Sequence, residues 1–163
     1  MKDSKEHAFG KFNFDLTEDE ENRAAQLHTE SIVIDLLWWG PCSHLSFTPE
    51  MEQEVNNFFQ KTQDPAATVK YAIFQPQRWA AYGKMPEFKK CWEDSGVTAG
   101  CRTLEFSSWE AYASTIAANQ LMFDSLPWVV KALRAKDIRQ AKEHGNRAAF
   151  INTQLFSGIM PNF

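Results

Sequence analysis

The chain has 163 residues, a length that suits one domain, and 44% of them are apolar, enough for a buried core. A formal net charge of −4 provides no basic stripe to neutralise phosphates, which argues against a nucleic-acid binder. No apolar run approaches a membrane span of about 20 residues, the N-terminus lacks a secretory apolar stretch, and three cysteines without C-x-x-C spacing point away from a disulfide framework, so a reducing, cytoplasmic setting is expected.

Residues 1–16 are polar with scattered Phe and read as a loosely attached arm ahead of one domain at 17–163. Thr17-Glu18-Asp19-Glu20 is a capping box, with acids at the positive end of the dipole, and predicts a helix to about Thr29. The run "SIVIDLLW" at 31–38 is continuously apolar and of strand length, as in a parallel sheet covered on both faces. Gly40-Pro41 ends it. Thr48-Pro49 and Asp64-Pro65 are helix starts, and Pro76 interrupts the second of these helices. A short helix in "PEFKKCWEDSG" closes at Gly96.

"VTAGCRTLEF" reads as a second strand, weakened by the internal Gly100. Ser107-Ser108-Trp109-Glu110 opens a long helix that Pro127 ends. "AKDIRQAKEHG" is a helix ended by Gly145; its several bases are interleaved with acids and form a solvated face. "RAAFINTQLF" is the third strand. Strands alternating with helices predict an α/β fold with parallel strands and outer helices, and the stretch at about 45–95 is a helical insert.

Three of these segments, in this order and spacing, resemble the membrane dipeptidase (renal dipeptidase-like) family of amidohydrolase-type metallopeptidases. They are "HTESIVIDLLWWG", "GVTAGCRTLEFSSWEAYA" and "LRAKDIRQAKEHGNRAAFINTQ". The resemblance implies a (β/α)8 TIM barrel with two zinc ions at the C-terminal ends of its strands, hydrolysing dipeptides with a metal-bridging hydroxide. It also implies a His and an Asp two residues apart on the first strand, a bridging Glu on the third, and two later His ligands.

This sequence departs from that pattern at each ligand. Asp35 matches the family's early Asp, which does not bind zinc. Leu37 stands at the His position, Trp39 at the Asp position and Gln154 at the Glu position. Strand alternation would turn Leu37 and Trp39 inward together as an apolar floor. The later His strands would lie beyond residue 163. The expectation is therefore a partial barrel of about three parallel strands, without metal in this chain and with no assignable catalytic residue. A C-terminal barrel segment or a second copy would complete it, because an open arc leaves sheet edges unpaired.

The expected function is a dipeptidase-like hydrolase segment, inactive alone; the alternative is a non-catalytic binding or assembly protein on the same scaffold. Asp35, Leu37, Trp39, Asn152 and Gln154 are the substrate-pocket candidates, with a small peptide or amide as ligand and neither nucleic acid nor membrane as partner. Asp35 could instead bond backbone structurally, and Asn152 and Gln154, two apart on one strand face, could satisfy loop backbone. Cys42 and His44 read more simply as a loop cysteine and a surface histidine than as a metal pair or nucleophile, and their role stays open. Trp79, Tyr82, Phe88 and Trp92, at near-helical spacing, read as core or lid packing. His28 and His144 fall near helix C-termini, where a cation suits the dipole.

Overall fold

The computed structural model describes residues 14–42, 46–104 and 109–153. The chain divides into two compact units between Ser31 and Ile32. In the first, α1 (Glu18–Glu30) starts at the predicted capping box: the Thr17 hydroxyl accepts from the Glu20 backbone N–H, and the Glu20 carboxylate accepts from the Thr17 N–H at 2.8 Å. That backbone bond holds the Glu20 carboxyl below its usual range. No residue of α1 is buried.

The second unit is an α/β fold. Its elements are β1 (Ile34–Asp35), α2 (Pro49–Thr62), α3 (Pro65–Ile73), α4 (Gln75–Ala81), α5 (Glu87–Asp94), β2 (Ala99–Thr103), α6 (Trp109–Ser125), β3 (Val129–Lys131), α7 (Ala135–Glu143) and β4 (Arg147–Asn152). The helix starts lie where the cap residues place them. Thr48 Oγ1 accepts from Met51 N at 3.3 Å, and Asp64 Oδ1 accepts from Ala67 N at 3.0 Å. The second Ser-rich capping box includes positions 107 and 108, outside the described residues. Gly145 follows α7 at φ +70°, the left-handed conformation that ends a helix.

The four strands form one all-parallel sheet in the order β1-β2-β4-β3. The sequence reading gives three strands; β3 escapes it because three residues carry no periodicity. The longest pairing joins β2 to β4, from Ala99↔Ala148 to Thr103↔Asn152. β2 and β4 are neighbours although β3 lies between them in the chain. β3 lies outside β4, against its first three residues.

Helices cover both faces of this sheet. The consecutive residues Ala148 and Ala149 belong to different core clusters. Ala149 packs with Trp38, Met51, Phe88, Trp92 and Met122, a cluster drawing on α2, α5 and α6. Ala148 packs with Ala99, Ala132 and Ala141, and Ile138 of α7 joins them. Of the aromatic set at 79–92, Phe88 and Trp92 are core, Trp79 packs against it, and Tyr82 is exposed.

The opening run is shorter than its hydrophobicity suggests, which corrects the strand expected over 31–38. β1 pairs only through Ile34 and Asp35, and the chain turns at Leu36–Leu37. The Asp35 carboxylate causes this: its Oδ1 accepts from Leu37 N at 2.8 Å, a side-chain turn that competes with extended pairing.

Candidate functional site

The turn after Asp35 decides which aromatic enters the core. Trp38 is 9% exposed, whereas Leu37 and Trp39 are 63% and 64% exposed. The expected apolar floor of Leu37 and Trp39 is thereby corrected: with extended geometry lost at the turn, period-two alternation no longer places them inward. Trp38 lies over β2, where Gly100 leaves it room.

Register places the remaining candidates. Partners in adjacent parallel strands point to the same face, so Asn152 shares a face with Thr103, and Asp35 shares the opposite one with Gly100. Asp35 and Asn152 are therefore not brought together. Asp35 takes the structural role of bonding backbone. Asn152 Oδ1 is buried and has no hydrogen-bond partner among the described residues. Gln154 and His44 lie outside the described residues.

The polar centre on the other face is Arg102, which the sequence reading missed. It projects from β2, is 3% exposed, and carries a guanidinium held by three neutral acceptors. Its Nε donates to Asn119 Oδ1 of α6 at 3.2 Å. One terminal nitrogen donates to the Trp38 carbonyl at 3.3 Å, and the other to Gln77 Oε1 of α4 at 2.6 Å. Both amides are themselves anchored, Gln77 on the Ala118 carbonyl and Asn119 on the Thr115 carbonyl. The Phe74 ring centroid lies 5.2 Å from the guanidinium carbon, within cation–π range. No acid bonds Arg102 among the described residues, and burial pushes its pKa down to about 10, leaving it charged at neutral pH. A signal was available: a charge inside a strand covered on both faces requires buried partners.

A second polar cluster joins α2, α3 and α4. Buried Gln75 donates to the Glu54 carboxylate and accepts from Arg78, whose guanidinium also donates to the Tyr71 carbonyl. Trp79 Nε1 donates to the same carboxylate at 3.0 Å. These bonds fix the helical insert. An open cleft of about 430 Å³ lies between β3 and α7, lined by Lys131, Arg134, Asp137 and His144. Asp137 there caps α7, accepting from the backbone N–H groups of Leu133 and Arg134.

The residues at the resembling positions do not fit zinc. Leu37 has no lone pair, and the indole of Trp39 is a donor only. Among the described residues, no group of three His, Cys, Asp or Glu side chains is placed to hold a metal ion. No described helix is long and apolar enough to cross a membrane. No protein-family model, curated protein or solved structure matches the chain.

Proposed function

We propose that the chain is part of a dipeptidase-like (β/α) barrel scaffold that binds a small peptide or amide at the C-terminal end of its sheet and does not hydrolyse it alone. The observation that carries this reading is Asn152. It ends β4, next to Thr103 of β2, and its side-chain oxygen is buried without a partner among the described residues. A buried acceptor left open favours a ligand that brings an N–H, and an amide supplies one. The all-parallel sheet with outer helices is compatible with the barrel part of the reading, although β3 lies outside β4 rather than between β2 and β4. The apolar side chains Leu37 and Trp39 at the resembling ligand positions support loss of hydrolysis.

Titration calorimetry with neutral dipeptides tests this, alongside a zinc-supplemented hydrolysis assay. Binding should weaken about tenfold in Asn152→Ala, the value of one hydrogen bond. Turnover should be absent with or without zinc. Hydrolysis by the chain alone would overturn the non-catalytic part, and failure to bind any dipeptide would overturn the ligand.

A second reading, an assembly protein, is favoured by one observation. Leu36, Leu37 and Trp39 are all more than half exposed, just after β1, the strand at the sheet's edge. Apolar side chains next to an edge that is unpaired among the described residues suit a further chain segment or a second copy. Sedimentation across a concentration series separates the two: dipeptide binding by a monomer supports the first reading, and association without dipeptide binding supports the second.

A further inference from the structure

Arg102 is a buried cation bonded to neutral groups alone among the described residues. A guanidinium has five N–H donors. Three of them go to the oxygens of Asn119, Trp38 and Gln77, which leaves one open donor on each terminal nitrogen. Two amides and a carbonyl fix the plane of the group without neutralising it, whereas a buried charge is ordinarily paired. A further donor stands open nearby. The Trp38 indole Nε1 is buried and has no partner among the described residues. It would lie 2.7 Å from a Cβ at Gly100. Gly100 and Arg102, two apart on β2, share a face, so the open donors collect on one side of one strand.

Gly40 gives access to them. It is half-buried, and a Cβ there would come 3.6 Å from Arg102 Nη1. The guanidinium therefore lies under a partly exposed backbone position that carries no side chain. The φ of +119° favours glycine there.

We propose that Arg102 and the Trp38 indole N–H form a binding site for a small free carboxylate, such as formate or acetate, that enters past Gly40. Every open group at the site is a donor and one of them carries a positive charge, so the ligand is an anion with acceptor atoms. The two oxygens of a carboxylate match the open donors on Nη1 and Nη2 as a bidentate pair. A halide offers a single centre and lacks that match. The gap at Gly40 lies where another residue would place its Cβ, which suits a ligand of this size. Arg102 and Gly100 face away from Asn152, so the site is separate from the proposed peptide contact and does not rest on it.

The test titrates the nitrogen-15-labelled full chain with sodium formate and sodium acetate, and with sodium chloride at the same ionic strength. The chain has six tryptophans, and their indole N–H signals are assigned through backbone connectivities. The expected result is a saturable shift of the Trp38 indole signal with formate or acetate. The melting temperature should rise along the same saturation curve, because a ligand held only by the folded chain stabilises it by mass action. Trp38→Phe keeps an aromatic ring and should weaken the carboxylate about tenfold, the value of one hydrogen bond. Arg102→Gln should abolish the response. An equal response to chloride overturns the proposal, as does the absence of a saturable shift or a shift confined to other indoles. The wild-type titration decides the matter even if either variant fails to fold.

Discussion

The indole of Trp38 occupies the space in which a side chain at position 100 would stand. A Cβ on Gly100 would come within 2.1 Å of the ring carbon Cδ1. The glycine that weakens the strand signal in the sequence is what lets the aromatic after the β1 turn close over the second strand.

Gly100→Ala should therefore cost about 1–3 kcal/mol by overpacking. Trp38→Ala should cost about 3–5 kcal/mol by leaving a cavity. Urea unfolding of both single variants and the double variant checks this. Gly100→Ala should cost at least about 0.5 kcal/mol less in the Trp38→Ala background, because the clash is then gone. Additive losses would show that the two residues are not in contact.

Arg102→Met should destabilise by about 3–5 kcal/mol, since it leaves the acceptors on Gln77, Asn119 and Trp38 buried without their donor. Arg102→Lys should recover little of this, because one ammonium cannot reproduce the planar fork that reaches three elements. A pKa lowered to about 10 leaves the guanidinium protonated through neutral pH. The loss measured by chemical denaturation should thus stay flat between roughly pH 6 and 8. A loss that changes with pH in that interval would place a titrating partner beside Arg102.

Asp137 caps α7 through the N–H groups of Leu133 and Arg134, and these bonds hold its carboxyl below the usual range, that of Leu133 first. Its contribution is present above the ordinary carboxylate pKa and is lost as pH falls through the lowered folded value. Asp137→Asn should lower the melting temperature at neutral pH. The gap to wild type should close on acidification. Equal gaps at neutral and acid pH would exclude the charged cap.

Leu37→Ser and Trp39→Ser should each change stability by no more than about 0.5 kcal/mol, as for exposed side chains without buried contacts. If the assembly reading holds, the same substitutions weaken self-association in a sedimentation series. A large stability loss would instead return these residues to the core, as an unbroken strand would have them.

Much of the local structure was legible because it depends on neighbours in the chain. Thr17, Thr48 and Asp64 accept from backbone N–H groups three residues on, so their helices could be started from sequence. The strand at 99–103 and the one beginning at Arg147 stood out as apolar runs between helices. The candidate site was less legible. Asp35 and Asn152 were both picked out, but which face each occupies depends on register, and register is a relation between strands.

The sequence by itself determined the helix caps, the alternation of helix and strand, and hence a parallel α/β sheet, since those signals are carried by short-range hydrogen bonds and periodicity. Tertiary structure alone decided that β1 ends at Asp35, that Trp38 rather than Leu37 or Trp39 is buried, and that Arg102 sits charged among amides from α4 and α6. Each of those outcomes depends on which distant residue leaves space or offers an acceptor, and linear spacing does not encode that.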